Sequence, residues 1–237
     1  MKAVLFIHGL SAKVEDNKYF IDEMKKMPNI KIYSFILPGH ENDMVKRVKY
    51  NEWINKAESE LKEILKNHKK VTIVSHSMGT IIATNLASRY KEVDKLVLIS
   101  PAFLFGNLEQ IKKDLKNLLN NNVDDNIGTG FEGALTKFFE IPKSVWIQYR
   151  KMARDNISNI AKIKCPTLII SGNCDNLISM KAVQYVYDKL KCKKDLVIVD
   201  NVRHQVFKSH KKDVITMYIY KFIAFNFLYK ISKRRTI

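Results

Sequence analysis

The sequence predicts an α/β protein: a mostly parallel sheet of about six strands with helices on both faces, plus one helical insertion. Three observations predict it. Short apolar runs recur along the chain, they are continuous rather than alternating, and helix-period stretches fall between them. A continuous run is what a strand needs when helices cover both faces of its sheet.

The runs are "AVLFI" (3–7), "KIYSFIL" (31–37), "KVTIVS" (70–75), "KLVLIS" (95–100), "PTLIIS" (166–171) and "DLVIVD" (195–200). Between the second and third lies "NEWINKAESELKEILKNH", where Trp53, Ala57, Leu61 and Ile64 or Leu65 make one apolar stripe opposite the charges. Strand–helix–strand alternation implies right-handed crossovers, and hence parallel strands.

The alternation stops once. About sixty residues separate Ser100 from Pro166, far more than a short crossover needs. The stretch has helix-like pieces (Leu108–Leu119, Ala134–Phe139, Lys143–Ile160) around the polar loop "NNNVDDNIGTG". It reads as a helical cap at 103–160 inserted in a core of 1–102 and 161–237. Its aromatics, Phe103, Phe105, Phe131, Phe138, Phe139, Trp146 and Tyr149, exceed what a linker needs. Some form the insertion's own small core; Phe103, Phe105 and Trp146 are the candidates to line a substrate pocket. The literal G-x-G-x-x-G of "GTGFEG" (128–133) follows an Asn/Asp loop and not a strand, so it is no dinucleotide fingerprint.

The last stretch, "DVITMYIYKFIAFNFLYKISKRR", is apolar on most faces, but Lys221 would fall at the centre of a membrane span, where a charge is costly. A final helix packed on the sheet is expected. A weaker reading is an interfacial helix whose Lys230, Lys233, Arg234 and Arg235 meet anionic headgroups.

Composition narrows the function classes. The 237 residues are 46% apolar, enough for a real core, and 8 Gly with 5 Pro exclude a fibrous or disordered chain. Cys165, Cys174 and Cys192 match no zinc or redox spacing and read as reduced thiols. The apolar run at 3–7 is too short for a signal-peptide core, so the expected location is cytoplasmic. The net charge of +17 is spread over nearly every helix-like segment. No basic–aromatic platform or binding motif accompanies it, so it predicts no nucleic-acid partner.

The chemistry centres on "VSHSMGT" (74–80). A strand ends in His76-Ser77-Met78-Gly79 and a helix pattern starts at once. A serine at such a turn stands above the sheet's carboxyl edge with a helix N-terminus aimed at the reacting oxygen. The turn requires small residues two before and two after the serine. Gly79 meets this, and Ser75 stands where the elbow pattern has glycine.

A serine hydroxyl needs a base. His204, in "NVRHQVF", follows the last strand run and lies at the same sheet edge; His210, six residues on, is the weaker candidate. The base needs an acid to set its tautomer. Asp175 in "GNCDNLIS" lies at the right edge, and Asp200 at the end of the last run is the alternative. Two backbone donors should receive the oxyanion: the N–H of Met78, and that of Leu10 in the "FIHGLSA" loop. His8 there reads as a structural hydrogen-bonding residue.

These residues resemble the α/β-hydrolase fold, and within it the bacterial carboxylesterases and monoacylglycerol lipases. The matching pieces are "VLFIHGL", "LPGHEND", "EWINKAESEL", "VSHSMGT", "CPTLIISGNCD" and "NVRHQVF", across nearly the whole chain outside 103–160. The resemblance implies Ser77, Asp175 and His204 as a catalytic triad, Leu10 and Met78 as oxyanion donors, and a variable cap that forms the acyl pocket. It departs at Ser75, at "NVRH", and in starting at the "HG" strand without the antiparallel strands of larger relatives.

The expected function is therefore a serine hydrolase of carboxylic esters, monoacylglycerol-like or short-chain, working through an acyl-enzyme without metal or organic cofactor. Thioesterase or peptidase chemistry on the same triad is the alternative, as is a non-catalytic binder using the cap pocket. The expected partner is a small ester or lipid.

Overall fold

The computed structural model describes residues 1–10, 12, 15–41, 45–106, 141–225 and 234–237. Seven strands form one sheet in the order β2-β1-β3-β4-β5-β6-β7, every neighbouring pair parallel. They are β1 (Lys2–Ile7), β2 (Ile30–Ser34), β3 (Val71–His76), β4 (Val93–Ile99), β5 (Thr167–Gly172), β6 (Lys194–Val199) and the short β7 (Arg234–Thr236). The first six coincide with the six apolar runs within a few residues at each end.

Alternate side chains along β1, β3, β4, β5 and β6 enter separate cores, which is why these runs are so apolar. On one face Ala3, Leu5 and Ile7 of β1 join α2 (Tyr50–Leu65), α3 (Gly79–Arg89), α4 (Lys143–Asn156) and α5 (Met180–Lys189). On the other, Val4 and Phe6 join α1 (Lys18–Lys26) and α6 (Lys212–Ala224) through Phe20, Met24, Ile215 and Ile219. The predicted stripe of α2 is buried at Trp53, Ala57, Leu61 and Ile64. Because β2 and β3 flank β1 on opposite sides, the strand order reverses there, and in open parallel sheets ligands bind at the carboxyl ends of the strands beside such a reversal.

Helix α4 lies within the predicted insertion but buries Val145, Tyr149, Met152 and Ala153 in the main core. The predicted helical pieces 108–119 and 134–139, with Phe131, Phe138, Phe139 and the loop at 128–133, lie outside the described residues, as do Lys230 and Lys233.

The terminal helix is shorter than its apolar pattern. It stops at Ala224, where Phe225 turns extended. Two lysines from distant strands meet its last carbonyls. Lys95 Nζ of β4 donates to the carbonyls of Phe222 (2.8 Å), Ile223 (3.0 Å) and Phe225 (3.0 Å), and Lys2 Nζ to those of Ile223 (2.7 Å) and Ala224 (2.9 Å). Positive charge complements a helix C-terminus, and each bond satisfies a carbonyl without an intrahelical partner. Arg234 and Arg235 consequently lie on β7 and not on a helix, which corrects that part of the interfacial-helix reading. No described helix is long and apolar enough to cross a membrane. All three cysteines are free thiols.

Replacing Lys95 with Met keeps the buried stem and removes three charge-assisted bonds. Urea denaturation should show a loss of about 2–3 kcal/mol.

Candidate active site

The elbow is built by three features of the β3–α3 turn. Ser77 has a left-handed backbone (φ 53) and donates its N–H to Ile99 O of β4 at 2.9 Å, pinning the turn to the neighbouring strand. A Cβ at Gly79 would lie 2.5 Å from Ile7 O and 2.6 Å from His8 O, so only glycine fits there. Ser75 is fully buried, and its hydroxyl donates to Val97 O at 2.9 Å. The extra hydroxymethyl is thus accommodated with its polar atom satisfied.

The other two candidates arrive from β5 and β6. His204 Nε2 lies 2.9 Å from Ser77 Oγ, and His204 Nδ1 lies 2.9 Å from Asp175 Oδ2 and 3.1 Å from Oδ1. A carboxylate only accepts, so Nδ1 carries the proton and the bare Nε2 accepts from the serine hydroxyl. Asp175 Oδ1 also accepts the N–H groups of Leu177 and Ile178, both at 2.9 Å. Burial pushes the Asp175 carboxyl up, but the His204 charge, the His204 hydrogen bond and the Ile178 N–H outweigh it and hold the group below its ordinary value.

The loops bearing Asp175 and His204 are stitched together. A Cβ on Gly172 would overlap the Val202 carbonyl, so the chains meet where β5 has no side chain. Cys174 N–H donates to Val202 O at 3.1 Å and Asn173 N–H to Val199 O at 3.0 Å. Asn173 then clamps the second loop, its amide donating to Asp200 Oδ1 (2.9 Å) and its oxygen accepting Asn201 N–H (2.8 Å). The alternative acid, Asp200, is therefore occupied as a loop clamp, and Asp175 is the carboxylate on the histidine. His210 is exposed ahead of α6, leaving His204 as the histidine at the serine.

The predicted oxyanion donors are the residue after the serine and the residue after Gly9. Met78 is buried at the start of α3, and Gly9, beside Leu10, lies so close that a Cβ would come within 2.8 Å of Ser77 Cβ. The N–H groups of Leu10 and Met78 make no hydrogen bond among the described residues. His8 is structural: its Nδ1–H donates to Gly9 O (2.8 Å) and its Nε2 accepts Leu37 N–H (2.9 Å). Burial, then the His40 charge, lowers its pKa to about 4, so it stays neutral.

Of the predicted pocket residues, Phe103 is buried in the core, while Phe105 and Trp146 are half-buried. Phe105, Trp146 and Tyr149 form an aromatic cluster with centroids 5.0–5.8 Å apart. Tyr149 hydroxyl donates to Ala102 O, tying α4 to the loop after β4. Sequence reasoning passed over one neighbour. His76 Nε2 lies 3.0 Å from the His204 carbonyl, a contact legible only in that His76 directly precedes the serine. No group of three or more His, Cys, Asp or Glu converges as a metal site among the described residues.

A sequence model of the alpha/beta hydrolase fold family matches residues 2–132. The chain is 26% identical over 245 residues to a pimeloyl-[acyl-carrier protein] methyl ester esterase from Wigglesworthia glossinidia brevipalpis, covering 87% of this chain and 88% of that protein. Among solved structures it superposes on a monoacylglycerol lipase of Paleococcus ferrophilus with a TM-score of 0.72, at 17% identity over 93% of each chain. A soluble variant of the Saccharomyces cerevisiae monoglyceride lipase gives 0.70 at 18% identity, over 94% of this chain and 85% of that one. At these identities the two structures speak for the fold alone.

Substitutions in the elbow should separate its two small residues. Ser75→Ala loses one hydroxyl–carbonyl bond and should cost about 1 kcal/mol in urea denaturation. Gly79→Ala forces backbone apart and should cost about 3 kcal/mol by the same measurement.

Proposed function

The chain belongs to the alpha/beta hydrolase fold family, and from that premise we propose that it is a serine hydrolase of carboxylic esters. The reading rests on one observation above all: the hydrogen-bonded line from Ser77 Oγ through His204 to Asp175.

In this reading Ser77 Oγ attacks the ester carbonyl carbon as His204 Nε2 takes its proton. The imidazolium is stabilised by Asp175, which stays ionised. The tetrahedral oxyanion accepts hydrogen bonds from the N–H groups of Leu10 and Met78, with the N-terminus of α3 behind them. Collapse breaks the C–O bond, and His204 returns the proton to the departing alcohol. Water, deprotonated by His204, then attacks the acyl-serine; the second tetrahedral intermediate breaks its C–Oγ bond, His204 returns the proton to Ser77 Oγ, and the acid leaves. The steps balance in protons and require no metal or organic cofactor.

The division into a core (1–102 and 161–237) and a cap (103–160) belongs to the same proposal, with Phe105 and Trp146 at the described end of an apolar acyl pocket. Phe103 then supports the pocket from the core. Monoacylglycerol-like and short-chain esters are the first candidate substrates. A second reading is favoured by the curated relative, which matches most of both chains and is named for a methyl ester of a carrier-bound acyl group.

A chain-length series of glycerol, short-chain and methyl esters, run with wild type and Ser77→Ala side by side, tests the proposal. Hydrolysis by wild type should peak at one acyl length and vanish in Ser77→Ala. Asp175→Asn should keep the fold and lower kcat by about 10⁴-fold, since the histidine tautomer is no longer held. Equal turnover by Ser77→Ala would reject the reading.

A further inference from the structure

His76 stands beside the site, and the acyl-transfer steps give it no task. Its side chain is 1% exposed at the end of β3, a strand paired on both sides by β1 and β4. Nε2 lies 3.0 Å from the His204 carbonyl oxygen, which also accepts the Val206 N–H at 3.0 Å. A carbonyl only accepts, so Nε2 carries the proton of the His76 ring. Nδ1 is then bare, and it is buried without a hydrogen-bond partner among the described residues. Burial, then the neighbouring His204 charge, lowers the pKa of His76 to about 3, so the ring stays neutral.

The two imidazoles pack against each other, centroids 4.9 Å apart and planes at 36°. His76 therefore holds His204 twice, at the backbone and at the ring, from a central strand. His204 itself sits in the loop between β6 and α6. An apolar side chain of similar size would fill the space without a stranded nitrogen, so packing alone does not account for an imidazole here.

We propose that His76 is a positioning residue for the base: its Nε2–H anchors the His204 carbonyl and its ring backs the His204 imidazole, fixing that ring between Asp175 and Ser77. The inference rests on the Ser77–His204–Asp175 reading above. Holding a base in line for proton transfer acts on kcat, because misplacement by about an ångström can cost roughly 10²-fold. It leaves ground-state binding of the ester, and hence KM, unchanged.

Three substitutions test it on an ester that the wild type hydrolyses. His76→Gln places an amide N–H where Nε2–H was, His76→Asn carries its amide N–H one bond short of the carbonyl, and His76→Leu has none. Leu and Asn should lower kcat by roughly 10- to 100-fold with KM unchanged, and Gln should restore most of the loss. The Leu variant should melt no lower than wild type, because it also removes the unpartnered nitrogen. If Leu does not fold, the Gln–Asn pair carries the same comparison. Wild-type kcat in the Leu and Asn variants, or a Gln variant as slow as Asn, would overturn the inference while leaving an active wild type and the triad reading intact. A wild type that hydrolyses no ester would overturn both.

Discussion

A parallel sheet delivers the carboxyl ends of all its strands to one edge, and every feature of the site depends on that constraint. Ser77 follows β3, Asp175 follows β5, His204 follows β6, and Leu10 follows β1. These residues are far apart in the chain, yet the ladder of hydrogen bonds fixes their separation before any side chain contributes. The register pairs Ile7 with Ser75 and Gly172 with Val199, so the loops carrying the functional groups leave the sheet at nearly the same height.

Local packing then converts that approximate placement into hydrogen-bond geometry. Two glycines matter most, because at each a neighbouring backbone occupies the space a Cβ would need. Gly79 lets the β1 loop close over the start of α3, and Gly172 lets the His204 loop cross β5. Both contacts are backbone against backbone, which leaves little freedom for the loops to drift. Polar groups complete the arrangement: Asn173 ties the Asp175 loop to the His204 loop, and His76 ties the His204 loop to the central strand. Pre-organisation of this kind is what acyl transfer requires, since donors and bases must stand in place before charge develops.

Much of this was legible in the sequence, for identifiable reasons. Five of the six long strands, all but the edge strand β2, are buried on both faces, so their apolar runs have no competing explanation. The elbow was legible because a strand, a serine and a helix follow one another without a gap. What was not legible is non-local. Asp175 and Asp200 both follow strands at the correct edge, and only the fold decides that Asp200 bonds Asn173 while Asp175 meets the histidine. The end of α6 depends on lysines in β1 and β4, more than a hundred residues away, which no terminal pattern encodes. Ser75 could be judged only by finding its partner, the Val97 carbonyl. Helix α4 read as part of an insertion because its spacing interrupts the strand alternation, although its buried face belongs to the main core.

In the proposed mechanism Ser77 differs chemically from the other serines because His204 and Asp175 activate it. Peptide mapping by mass spectrometry after reaction with a fluorophosphonate tests this most directly. A single adduct on Ser77 is expected, formed rapidly in wild type and much more slowly in His204→Ala. A folded protein that carries no adduct, or one whose Ser77 is modified equally fast without His204, would contradict it.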